Sequence, residues 1–73
     1  MKQTSLFPQP AVRAIRLTEV MHLTGASRPT IWRWTKLDPT FPQPFHLSRS
    51  ITCWDEREVT SWIEAKKASR GDA

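Results

Sequence analysis

Basic side chains recur through the middle of the sequence with little acidic charge between them. From Gly25 to Trp54 there is one acidic residue, Asp38, and the basic residues are Arg28, Arg33, Lys36 and Arg49. A guanidinium group can donate two parallel N–H bonds to a phosphate or to the two acceptors of guanine. The whole chain carries 11 Lys+Arg against 7 Asp+Glu, a formal charge of +4. This balance favours a polyanionic partner, nucleic acid first and an anionic membrane second.

The remaining reactive side chains form no catalytic or metal-binding pattern. No Ser/His/Asp or paired-carboxylate arrangement is present, so we expect no enzymatic activity and no cofactor. His22, His46 and Cys53 match no zinc spacing and lack a fourth ligand, so we expect no metal. The single cysteine excludes an intramolecular disulfide and favours a reducing, cytoplasmic compartment. No apolar run approaches the ~20 residues of a transmembrane helix, so no membrane partner is expected.

Capping and stop residues predict two short helices before residue 37. Thr18 is expected to cap the first helix, which ends at Gly25, a residue suited to the left-handed conformation that follows many helices. Ser27 is expected to cap a second helix over residues 28–36, since Pro29 is tolerated in a first turn. Two helices joined by such a glycine-centred turn are typical of a helix-turn-helix.

The second helix offers one face to the core and another to a ligand. Ile31 and Trp34 are three residues apart and therefore point inward against the first helix. Trp32 is expected at the border, packed partly on the domain and partly toward a DNA backbone. Side chains near the start of such a helix reach base edges, and those beside them reach phosphates. The candidate DNA-binding residues on this helix are Ser27, Arg28, Thr30, Trp32, Arg33 and Lys36.

The second half of the chain predicts a hairpin and a third helix. Three prolines between 39 and 44 exclude a helix there, and the alternation in residues 45–54 predicts two strands with Arg49 at the turn. Arg49 is a further candidate DNA-binding residue, placed to touch a phosphate or the minor groove. Asp55 is expected to cap the third helix and Gly71 to end it.

This order of elements is that of a winged helix-turn-helix, mainly α with a small β-hairpin. We expect a flexible N-terminal arm over residues 1–14, one DNA-binding domain over 15–70 and a tail over 71–73. A domain of this size has a small core, so most of its inward side chains are needed for stability.

The segments "RLTEVMHLTGASRPTIWRW", "FPQPFHLSRSITCW" and "EREVTSWI", from Arg16 to Lys67, resemble the AlpA-type prophage regulators. These small winged-helix proteins are related to MerR-like DNA-binding domains and to phage excisionases. The resemblance implies a DNA-binding transcriptional regulator, often of integrase or excision genes. It also implies that Ser27, Arg28, Thr30, Trp32 and Arg33 belong to the reading helix.

Together these features predict a sequence-specific regulator of a phage, prophage or mobile element that binds double-stranded DNA. Helix 28–36 would enter the major groove, and hairpin 45–54 would touch the backbone or minor groove. Two alternatives are an excisionase-like protein that bends DNA for a recombinase and an adaptor that binds protein through the same face. RNA polymerase or a recombinase is the expected protein partner. We expect a monomer in solution that binds DNA cooperatively.

Overall fold

The computed structural model describes residues 12–70 and contains three helices and a three-stranded sheet. In chain order the elements are β1 (Ala14–Ile15), α1 (Leu17–Thr24), α2 (Arg28–Leu37), β2 (Phe45–Ser48), β3 (Ile51–Asp55) and α3 (Glu56–Ser69). Strand β3 lies between β1 and β2 and is antiparallel to both. The predicted fold class is confirmed, since α1 and α2 form the helix-turn-helix and β2 and β3 form the wing.

The turn between α1 and α2 is made by Gly25, as predicted. Its φ of 76° lies in the left-handed region, and its N–H donates to the Met21 carbonyl at 2.7 Å. The predicted start of α1 is wrong, because Thr18 lies inside the helix and Arg16 occupies the N-cap position without a side-chain cap. The Arg16 carbonyl instead accepts the N–H groups of Glu19 and Val20, at 3.0 and 3.1 Å.

Strand β1 was not predicted from the sequence, which assigned Ala14 to the N-terminal arm. Ala14 pairs with Asp55 and Ile15 pairs with Trp54, so this short strand is held by residues about 40 positions away. Two residues cannot display an alternating pattern, and for that reason β1 has no local signal in the sequence. The rest of the arm through residue 11, the tail over 71–73 and the stop at Gly71 lie outside the described residues.

The core is a single cluster in which aromatic side chains replace scarce aliphatic ones. Its buried members are Ile15, Val20, Ile31, Phe41, Trp54 and Val59. Trp34 and Trp62 pack against this cluster and are each about 5–6 Å from the Phe41 ring, centroid to centroid. The inward assignment of Ile31 and Trp34 is therefore confirmed. Tilted and edge-on ring pairs of this kind contribute beyond their buried area.

The proline-rich loop that joins α2 to the wing is fixed by specific contacts. The Asp38 carboxylate accepts bonds from the Thr40 N–H at 2.8 Å and the Thr40 hydroxyl at 2.6 Å. Phe41 enters the core, and the Gln43 side-chain amide donates to the Thr35 carbonyl at the end of α2, at 2.9 Å. The loop thereby sets the position of the wing relative to α2.

Helix α3 begins as predicted, because the Asp55 carboxylate accepts the Arg57 N–H at 2.9 Å. Val59 is fully buried, and Trp62 and Ile63 pack partly on the core along the same stripe. Within residues 12–70 no helix is long and apolar enough to cross a membrane.

Candidate nucleic-acid interface

The outer face of α2 carries the candidate side chains that the sequence places away from the core. With about 100° of rotation per residue, Arg33 and Lys36 fall opposite the buried Ile31, and Trp32 falls at the border between the two faces. All three are exposed, as are Ser27 and Arg28 at the start of the helix, and Thr30 is half-buried. All six predicted residues of α2 and its N-cap are thus at least partly accessible, and Arg33 and Lys36 lie together on the side opposite the core.

The basic side chains on this surface are not neutralised by neighbouring acids. Among residues 12–70 the one ion pair joins Arg13 to Glu56, on β1's flank and the start of α3. Arg28, Arg33 and Lys36 therefore form no ion pair within residues 12–70 and are available to an external anion. An arginine or lysine in this state can bind a phosphate without first giving up a carboxylate.

The N-terminus of α2 is open. Ser27 occupies the N-cap position as predicted, but the expected capping bond is absent and no acidic residue lies in the first turn. Its hydroxyl lies 2.9 Å from the Thr30 hydroxyl, so each of the two groups has a partner away from the backbone. First-turn N–H groups carry the positive end of the helix dipole and bind anions readily.

The N-terminus of α3 has the opposite character. Asp55 caps it, and Glu56 and Glu58 lie in its first turn. These carboxylates satisfy and neutralise the positive helix end and would repel a phosphate. Of the two helix starts, only that of α2 suits a polyanion.

A tilted pair of tryptophan rings joins α2 to the wing. Trp32 on α2 is 37% exposed, and its ring centroid lies 5.4 Å from that of Trp54 on β3. Trp54 is fully buried, and its indole N–H has no hydrogen-bond partner in the described part of the chain. The contact fixes the angle between α2 and the wing strand. The border position predicted for Trp32 agrees with its exposure.

Arg49 lies at the tip of the wing, in the exposed turn between β2 and β3. The ladder below it is irregular, with a register shift between His46 and Ser48. His46 faces Thr52, and their side chains are 3.1 Å apart. Arg49 is thus on a separate projection from the α2 surface, linked to it through β3 and Trp54.

Two features outside the α2 surface were not predicted. One is the Arg13–Glu56 ion pair, which has no sequence signal because 43 positions separate its members. The other is a groove beside α3, lined in part by Pro42 and Trp62. A signal for the groove does exist, since the tetrapeptide containing Pro42 occurs twice in the sequence.

A helix-turn-helix followed by a two-stranded wing, with exposed basic side chains on its second helix, defines a small winged-helix protein. The chain belongs to the AlpA family of prophage regulatory proteins, since the family described as Prophage CP4-57 regulatory protein (AlpA) matches residues 13–67.

Two relatives extend this assignment. An uncharacterized protein, ORF88, of Enterobacteria phage P4 is 37% identical over 70 residues, which cover 92% of this chain and 78% of that protein. The DNA-binding transcriptional activator AlpA of Escherichia coli K12 is 34% identical over 61 residues, 77% of this chain and 87% of that protein. No solved structure matches the chain significantly.

Proposed function

We propose that this protein is a non-catalytic transcriptional regulator of prophage genes that binds double-stranded DNA sequence-specifically. Helix α2 lies in the major groove, and the wing lies along the backbone or the adjacent minor groove. The observation that carries the proposal is the surface of α2, where exposed cations and an uncapped, acid-free helix start point outward together. The family and the named activity of the E. coli relative support the same conclusion.

The residues divide by role. Arg28 and Arg33 lie in the first two turns of α2, where a guanidinium can reach the paired acceptors of guanine. Ser27, Thr30 and the backbone N–H groups of Arg28 and Thr30 hold one phosphate, while Pro29 between them has no N–H. Lys36, Trp32 and Arg49 contact backbone on either side, Trp32 through its indole N–H. RNA polymerase or a recombinase is the expected protein partner.

The test is a salt titration of duplex binding, with the preferred sequence first selected from a random duplex pool. Neutralising a phosphate releases counterions, and log affinity falls by about 0.9 per contact for each tenfold rise in salt. Four contacts therefore predict a loss of about 150-fold in affinity between 50 and 200 mM salt. An affinity that does not change with salt would indicate an apolar protein-binding adaptor instead.

A matched pair of variants separates local contact from overall charge. Lys36→Ala and Lys67→Ala each remove one positive charge, from α2 and from the exposed last turn of α3. We expect only Lys36→Ala to lower the salt dependence, by about one contact. Equal effects of the two variants would mean that net charge, and not the α2 surface, binds DNA.

A further inference from the structure

A groove of about 910 Å³ runs along α3 beside the proline-rich loop, away from the α2 surface. Its lining includes Pro42, the buried Phe41 and the half-buried Trp62. The Trp62 indole N–H already donates to the Thr40 hydroxyl at 3.0 Å, and the Lys66 ammonium lies 5.2 Å from the ring centroid. With the polar atom of the indole satisfied, the groove offers an aromatic and proline surface with a charged rim.

A tetrapeptide of this chain that already packs on the Trp62 ring occurs a second time in the sequence. Phe-Pro-Gln-Pro occurs at residues 41–44 and again, letter for letter, at residues 7–10. In the second copy Phe41 packs edge-on against Trp62, with centroids 5.0 Å apart and ring planes at 88°. Gln43 of the same copy donates to the Thr35 carbonyl. One such tetrapeptide is therefore already bound between α2 and α3.

The first copy is close to the groove along the chain. Val12 and Ala14 line a smaller depression of about 560 Å³, which shares Gln43, Asp55 and Glu58 with the larger groove. A segment that precedes Val12 thus starts beside a depression that shares three lining residues with the larger groove. Phe7 and Val12 are five positions apart, a separation that spans up to about 17 Å when extended. Glu58 lines the same depression as Val12, and Trp62 lies one helical turn, about 6 Å, further along α3. An extended segment from Val12 back to Phe7 is long enough to cover that distance.

We propose that Phe7–Pro10 of the same chain binds the α3 groove, as a second Phe-Pro-Gln-Pro packed on the free part of Trp62. Proline-rich segments bind aromatic-lined grooves at a low entropic cost, because proline already restricts the backbone. A short tether adds an effective concentration in the millimolar range, which favours the chain's own segment over that of another copy. The α3 groove is then an internal docking site and not the DNA-binding surface.

The experiment compares ¹H–¹⁵N spectra of the full-length protein, Phe7→Ala and Ala65→Arg, all without DNA. Ala65 is exposed and lines the groove, so an arginine there blocks it without entering the core. Both variants should shift the Trp62 indole signal and the Ser61 amide in free protein. The Trp32 and Trp54 indole signals, on the other side of the core, should stay in place.

The matched control is Ala68→Arg, which makes the same change on α3 outside the groove lining. Phe7→Ala should shift the Trp62 signal equally in the wild-type and Ala68→Arg backgrounds but have no effect in Ala65→Arg. A Phe7→Ala spectrum unchanged beyond residue 12 would overturn the proposal. Shifts that vanish on dilution would also overturn it, in favour of docking between two copies. Because DNA is absent, either result leaves the proposed DNA binding untouched.

Discussion

The α2 surface and the wing tip each present an arginine, and their removal should have different consequences for binding. Arg33 lies in the second turn of α2, on the face opposite the buried Ile31, and Arg49 lies in the β2–β3 turn. Both are exposed and neither takes part in the ion pair found in residues 12–70. Replacing either with alanine should therefore change stability by no more than about 0.5 kcal/mol. A loss of DNA affinity that exceeds this small change in stability is therefore expected to come from the lost DNA contact.

The expected magnitudes follow from the two kinds of contact. Loss of a bidentate guanine contact costs about 1–3 kcal/mol, so Arg33→Ala should weaken binding to the selected sequence about 5- to 150-fold and random DNA much less. Loss of a phosphate contact weakens all sequences alike. For Arg49→Ala, the affinity loss between 50 and 200 mM salt should shrink by about 3.5-fold, the contribution of one contact.

Fluorescence anisotropy with labelled duplexes measures both quantities in one set of titrations. Each variant is titrated against the selected sequence and a shuffled one at several salt concentrations. Arg57→Ala, which removes an exposed arginine from α3, is the control for net charge. Circular dichroism melts establish that all three variants are folded.

Three outcomes would contradict this division of roles. If Arg33→Ala weakens selected and shuffled DNA equally, Arg33 holds a phosphate and base reading rests on Arg28 and Thr30. If Arg49→Ala changes the ratio between the two sequences, the wing reads bases. If Arg57→Ala behaves like Arg49→Ala, the wing makes no contact of its own.

Two further predictions concern assembly and acid stability. One reading helix and one wing bury only about 600–1,000 Å², so the free protein should sediment as a monomer and bind cooperatively to two half-sites about one DNA turn apart; nanomolar binding to one isolated half-site would argue against this. Hydrogen bonds from the side chain and backbone of Thr40 lower the pKa of Asp38 below its ordinary value. Because the pKa of Asp38 is lowered in the folded state, the ionised carboxylate stabilises the fold above about pH 4, the pKa of an unfolded aspartate. This stabilisation is lost as the pH falls from there through the lower pKa of the folded state. The thermal midpoint should therefore fall more from pH 5 to pH 3 in wild type than in Asp38→Asn, and parallel profiles would refute the Asp38 contribution.

The parts of the fold that the sequence predicted are those with a local cause. Gly25 ends α1 because its own backbone adopts a positive φ, and Asp55 starts α3 because its side chain reaches an N–H two residues on. The hairpin follows from alternation within ten residues. Strand β1 has no such cause, since Ala14 and Ile15 are ordered by β3. The start of α1 was misplaced for the same reason, because the chain enters that helix directly from β1.

The candidate interface shows a similar division. Which side chains of α2 are exposed follows from helical periodicity and the inward positions of Ile31 and Trp34. The contact of Trp32 with Trp54 and the lack of ion pairs for the α2 cations within residues 12–70 could not be predicted, because both depend on which distant residues the fold brings near. The sequence suggests a basic region, and the fold determines that its cations are unpaired.

The two helix starts show how this fold can direct a polyanion to one place. Ser27 and Asp55 are both good N-cap residues, so their capping preference alone does not distinguish these two helix starts. The Asp55 carboxylate accepts an N–H of the α3 backbone, and the first turn of α3 holds two further acidic residues. Ser27 pairs with the Thr30 hydroxyl, and whichever group donates, the other keeps a proton for an external acceptor. The carboxylates at the start of α3 repel a phosphate. At the start of α2, the two hydroxyls, the backbone N–H groups and Arg28 favour one. Under the proposed function, we therefore expect serine at one N-cap and aspartate at the other to contribute to the orientation of the domain on DNA.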